Sequence, residues 1–156
     1  MKQSNIESFV TQKLSWNLIN KFPNSTFRWK GIDGSNILTH FPPADNYCSS
    51  LTVDEILRNN ENNKDRDRCN ASLSLFGFGD GGGGADRNIL ERAVRSENVE
   101  SLPKLKLSTP KEFFDFAKQT WNDLYTWEGE LYLELHRGLN HFMHSFFYLY
   151  NLFYKI

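Results

Sequence analysis

Apolar and polar positions along this chain follow two periods, and each stretch takes sides. Residues 26–30 (TFRWK) and 36–41 (NILTHF) are short runs rich in β-branched and aromatic side chains, and Gly31-Ile32-Asp33-Gly34 between them has hairpin-turn chemistry. Pro42 and Pro43 end the second run, since neither can donate to a ladder. Thr52-Val53-Asp54-Glu55 is a capping box, and Val53, Ile56 and Leu57 give the helix it opens an apolar side. The polar run 59–68 (NNENNKDRDR) predicts a solvated helix end and loop.

Further on, residues 73–78 (LSLFGF) predict a compact apolar strand, residues 80–84 break it, and Asp86 caps a helix carrying Ile89, Leu90, Ala93 and Val94. A short strand over 105–107 leads into Thr109-Pro110-Lys111-Glu112, where a capping box coincides with proline at the first helical position. Phe113, Phe114 and Ala117 supply that helix's buried face. Strands alternating with helices imply an α/β fold with a largely parallel sheet, to which the early hairpin adds an antiparallel element. There is no internal repeat.

Composition narrows the class. The chain has 156 residues, 39% of them hydrophobic and 15% aromatic, which describes one packed domain or part of one. Eighteen basic residues against nineteen acidic ones leave a net charge of −1, so no bulk field draws nucleic acid or an anionic membrane. MKQSNIESFV has no long apolar segment of the secretory kind, and the apolar last stretch is interrupted by His141, His144, Asn151 and Lys155, so neither is read as a signal or a membrane span. Cys48 and Cys69 lack CxxC spacing and are read as reduced, packed thiols. The tripeptides Asn24-Ser25-Thr26 and Asn70-Ala71-Ser72 match the glycosylation pattern, which is short enough to arise by chance; a cytoplasmic setting is expected.

Chemistry concentrates in a few segments. Residues 76–84 (FGFGDGGGG) put Asp80 just past the carboxyl end of an apolar strand, among glycines that let a ligand approach the backbone. A Walker phosphate loop fails for want of Gly-Lys-Ser/Thr, and a dinucleotide loop fails because Asp80 would repel pyrophosphate; a flexible loop without function stays open. In residues 127–138, alternation places Glu128, Glu130, Tyr132, Glu134 and His136 on one side of a strand, as a polar cleft wall or as a solvated face. Trp16, Trp29, Trp127, Phe27 and Phe41 offer faces on which sugars stack, or simply core.

These segments resemble a known family. Thr11-Gln12-Lys13-Leu14-Ser15-Trp16-Asn17, then residues 27–35 (FRWKGIDGS), Thr39-His40-Phe41-Pro42-Pro43, residues 76–84 and residues 127–138 follow one another as they do in cytosolic α-mannosidases of glycoside hydrolase family 38. The resemblance implies an incomplete (β/α) barrel-like catalytic domain over residues 1–138, followed by a divergent hydrophobic tail, 139–156, of the composition expected from translated non-coding sequence. It also implies a retaining glycosidase acting on α-mannoside oligosaccharides with an aspartate nucleophile, an aspartate acid/base and one zinc ion. By position Asp80 matches the acid/base. Asp45 falls near a sugar-contacting region, and Trp29, Glu130, Glu134 and His136 are candidate substrate contacts.

The departures are equally specific. The family's His-x-Asp zinc pair and its nucleophile lie upstream of the resembled segment and its last zinc histidine lies downstream, while His40, His136, His141 and His144 stand in none of those contexts. This chain alone is therefore expected to bind no zinc, to turn over no α-mannoside, and to self-associate through uncovered faces. A non-catalytic carbohydrate-binding or interaction remnant is the second reading.

Overall fold

The computed structural model describes residues 1–131 and the backbone of residues 150–155. Among the described residues, seven strands and three α-helices run in the order β1 (Ser8–Val10), β2 (Thr26–Lys30), β3 (Asn36–His40), α1 (Val53–Glu61), β4 (Ala71–Phe76), α2 (Arg87–Arg95), β5 (Lys104–Ser108), α3 (Pro110–Thr120), β6 (Thr126–Glu128) and β7 (Tyr150–Lys155). Four strands form a sheet in the order β1-β3-β2-β6, and three form another in the order β4-β7-β5.

Local chemistry accounts for most of these elements. The β2–β3 hairpin pairs Thr26 with His40 and Lys30 with Asn36 in antiparallel register. Its turn closes with Gly34 N–H donating to the Gly31 carbonyl at 3.0 Å, and Gly34 takes φ 78°, which favours glycine. Both capping boxes form: Glu55 N–H meets Thr52 Oγ1, Glu112 N–H meets Thr109 Oγ1, and each glutamate returns to the cap's own N–H. Asp86 caps α2 by accepting from Ile89 N–H at 2.8 Å. Each such cap is worth about 1 kcal/mol.

The helices bury narrower faces than their sequences suggest. α1 buries Ile56 with Asn59 while Val53 stays exposed, and α2 buries Ile89 and Ala93 while Leu90 and Val94 face solvent. β4 is buried along its whole length. Leu73 and Leu75 pack with Leu38 from β3 and with Phe113, Phe114 and Ala117 from α3 in the main core. Leu51, Ile56, Phe76, Ile89 and Leu105 make a second cluster. Phe22, Phe27 and Phe41 make a third, covered partly by Trp29 and Trp127.

As expected, the four-stranded sheet is mostly parallel, at β1–β3 and β2–β6, with one antiparallel hairpin, β2–β3. No barrel closes among the described residues, because β7 lies antiparallel between β4 and β5, where a direct parallel ladder would continue a barrel. The polar run 59–68 is not merely solvated: Asn59, Asn63 and Asp65 are buried. Asp65 takes hydrogen bonds from Asn24 Nδ2 at 2.7 Å, Ser25 N–H at 2.5 Å and Thr26 N–H at 2.8 Å, clamping the run onto the start of β2. Nor does one strand cover residues 127–138 from its start: β6 ends at Glu128 and Gly129 turns away at φ 117°. The boundary expected at residue 138 lies outside the described residues.

Candidate functional site

Past β4 the chain folds into a tight hairpin. Phe78 and Gly83 exchange both backbone hydrogen bonds, at 2.9 and 3.0 Å, and Gly82 N–H donates to the Gly79 carbonyl at 3.0 Å. Asp80 therefore sits at the tip of a turn. Gly77 (φ 117°) and Gly82 (φ 67°) adopt left-handed backbone that a side chain would resist, which gives those two glycines a definite task. Asp80 is exposed, and its carboxylate accepts no hydrogen bond from the described residues.

The turn is tied to a neighbouring loop. Gly79 N–H donates to Cys48 Sγ at 3.1 Å, and a Cβ on Gly79 would stand 2.9 Å from that sulfur. The Cys48 loop is in turn held by the segment after β1. Tyr47 Oη accepts from Gln12 N–H at 2.7 Å, Gln12 Nε2 donates to the Asn46 carbonyl at 2.9 Å, and Ser15 Oγ donates to Asp45 Oδ1 at 2.8 Å. Trp16 Nε1 reaches the Asp45 carbonyl at 3.3 Å, and the Trp16 and Tyr47 rings meet edge to face at 5.8 Å.

The three segments enclose a cleft of about 270 Å³ lined by Trp16, Asp45, Tyr47, Cys48, Gly79 and Asp80, among others. Two carboxylates and two aromatic faces can grip a hydroxylated ring and exchange a proton with it. The structure thus brings Asp80 and Asp45 together. Trp29 stands apart from them, packed on Phe9 at 6.1 Å with its Nε1 donating to the Gly129 carbonyl at 2.7 Å. Glu130 is exposed beyond β6, where its carbonyl receives Trp127 Nε1 at 3.4 Å. Glu134 and His136 lie outside the described residues. Cys48, expected to be a packed thiol, is instead exposed at the cleft, and Tyr47 was not expected there, although an aromatic two residues after Asp45 in a loop opened by two prolines was an available signal.

The thiols differ from one another. Cys69 is a buried free thiol, and burial with Asp65 nearby pushes it up to about 12, whereas Cys48 is free and exposed at the cleft. His40 is fully buried, and burial holds it down at about 3. Its Nε2 accepts from Leu73 N–H at 3.1 Å, so Nδ1 carries the proton and donates to Thr26 Oγ1 at 2.8 Å. With both nitrogens engaged, His40 cannot ligate a metal. Among the described residues no three His, Cys, Asp or Glu side chains converge. No helix among them is long and apolar enough to cross a membrane.

Residues 1–130 match the glycosyl hydrolases family 38 N-terminal domain, and the chain belongs to that family. It is similar to Alpha-mannosidase G of Dictyostelium discoideum, 53% identical over 138 residues that cover 88% of this chain and 13% of that protein. Human Alpha-mannosidase 2C1 is 49% identical over 133 residues, 85% of this chain and 13% of that protein. The Alpha-mannosidase of Saccharomyces cerevisiae is 45% identical over 144 residues, again 13% of its length. The chain spans about 13% of the length of the curated relatives it matches.

Proposed function

We propose that this chain carries the acid/base carboxylate, Asp80, and part of the sugar-binding cleft of a retaining α-mannosidase that acts on α-mannoside oligosaccharides in the cytoplasm. The observation that carries the reading is Asp80 itself, exposed at the tip of a glycine-shaped turn and lining a cleft with Asp45, Trp16 and Tyr47 in a family 38 domain. Asp80 protonates the departing glycosidic oxygen and later takes a proton from the attacking water. Asp45 accepts hydrogen bonds from sugar hydroxyls, and the two aromatic faces take the C–H side of the ring. Glu130, Glu134 and His136 are further substrate contacts, whereas Trp29 packs on Phe9 and the Phe22 cluster and supports the fold.

Retention requires a second carboxyl group about 5 to 5.5 Å from the first to attack the anomeric carbon. Asp45, the cleft's other carboxylate, is held by Ser15 and is assigned to binding rather than to attack. Acid/base assistance alone contributes about 10² to 10⁴ in rate, so the chain by itself supports no useful turnover and needs the rest of the catalytic domain, including its zinc. An assay with an aryl α-mannoside and added zinc tests this. Turnover abolished by Asp80→Asn would overthrow the inactivity, and unaltered turnover of a full-length relative carrying the matching substitution would overthrow the role of Asp80.

A second reading, a non-catalytic carbohydrate-binding or interaction remnant, draws support from the preformed cleft, which two loops and the glycine turn hold through their own hydrogen bonds. Calorimetric titration with mannose oligosaccharides separates it from an inert fragment.

A further inference from the structure

A second concavity, of about 340 Å³, opens where Asp45 also forms part of the wall. Phe41, Pro42 and Pro43 give it apolar surface, while Lys21, Asn24, Glu61 and Lys64 bring donors and acceptors. Asp45 is the residue common to both clefts. It is fixed there by a left-handed backbone (φ 55°), by its N–H donating to the Pro42 carbonyl at 3.1 Å, and by Ser15 on Oδ1 at 2.8 Å. Its Oδ2 accepts nothing from the described residues.

The remaining groups are equally disposed to bind. Lys64 gives one ammonium hydrogen to the Phe22 carbonyl, which leaves two to offer, and it feels Asp45 and Lys21 nearby. The exposed Lys21 and Glu61 side chains make no hydrogen bond among the described residues. Two cations set against two carboxylates cancel, which disfavours a free anion. Mixed donors and acceptors beside apolar surface suit a ring whose hydroxyls both give and take and whose C–H face is greasy.

We propose that this concavity is a second sugar subsite, continuous with the Asp80 cleft across Asp45, so that an α-mannoside of two or more units occupies both. The proposal rests on the reading of the Asp80 cleft as a sugar site. It assigns specificity to Lys21, Glu61 and Lys64, which prefer an oligosaccharide to a single sugar.

The test is an NMR titration of the full 156-residue chain with methyl α-mannoside, with an α-linked mannobiose and with inorganic phosphate. Methyl α-mannoside should perturb Trp16, Tyr47 and Gly79 only. Mannobiose should perturb these together with Lys21, Asn24 and Glu61 and bind about tenfold tighter, as one or two added hydrogen bonds predict. The double substitution Lys21→Ala with Glu61→Gln should return mannobiose to the affinity of the monosaccharide without changing the latter. Mannobiose that binds no tighter and leaves Lys21 and Glu61 untouched overturns the subsite but not the Asp80 reading. Perturbation of Lys21 and Lys64 by phosphate and not by mannobiose overturns it in favour of an anion site. Silence toward both sugars overturns both readings.

Discussion

Asp65 and Asp80 are carboxylates on either flank of the same buried strand, and they have opposite fates. Asp65 is buried and receives three donors from Asn24, Ser25 and Thr26, about forty residues away along the chain. Asp80 is exposed at a turn and receives none among the described residues. Satisfied hydrogen bonding marks a carboxylate that holds the fold; an unsatisfied one at a cleft is free to act on a ligand. Both stand in sequence runs that look loop-like, one of Asn, Asp and Arg, the other of glycine.

The comparison can be broken most directly by removing each carboxylate. Asp65→Ala leaves buried N–H groups without a partner and should cost about 3 kcal/mol or more, read from urea unfolding midpoints. Asp80→Ala should leave the midpoint where it is, and an equal loss from both would erase the distinction. His40 gives the next effect. Its folded value of about 3 lies below the ordinary 6.5, so the unfolded chain binds the proton first as pH falls. Stability is therefore unaffected above pH 6.5 and declines between there and about pH 3, by as much as about 1.4 kcal/mol per pH unit. His40→Phe should flatten that slope while costing about 2 kcal/mol at neutral pH, because Leu73 N–H loses its acceptor.

Smaller effects sharpen the cleft side. Gly77→Ala forces a side chain onto φ 117° and brings its Cβ to 3.2 Å from the Gly83 carbonyl oxygen, for a loss of about 1–2 kcal/mol and a displaced Asp80 turn. Tyr47→Phe removes the acceptor of Gln12 N–H and should cost about 1 kcal/mol, with a visible change in the Trp16 fluorescence environment.

Local signals carried the helices, because a capping box is spelled within four residues and needs no knowledge of the rest of the chain. Thr52, Asp86 and Thr109 all cap as expected, and the hairpin at Gly31 to Gly34 forms where its turn residues stand. What was hidden depends on distant partners. Asn59 reaches the Leu73 carbonyl, Asn63 the Cys69 carbonyl, and Asp65 the start of β2, so polarity in that run signals internal bracing that only the fold supplies. The candidate site was half legible for the same reason: Asp80 announced itself through its glycines, whereas Tyr47 and Cys48 acquire meaning only when Gln12 and Gly79 come within reach. Trp29 looked like a sugar platform by type, but its ring is spent on Phe9 and on covering the third cluster.

The imidazole of His40 is shared by strands of both sheets, β3 through its own backbone and β4 through the amide of Leu73. That amide is a natural clock for the molecule. Its hydrogen trades with deuterium only when the His40 ring lets go, so its exchange rate reports that contact between the two sheets. Once the general slowing of amide exchange in acid is divided out, protonation of His40 should raise the Leu73 rate relative to the other amides of β4.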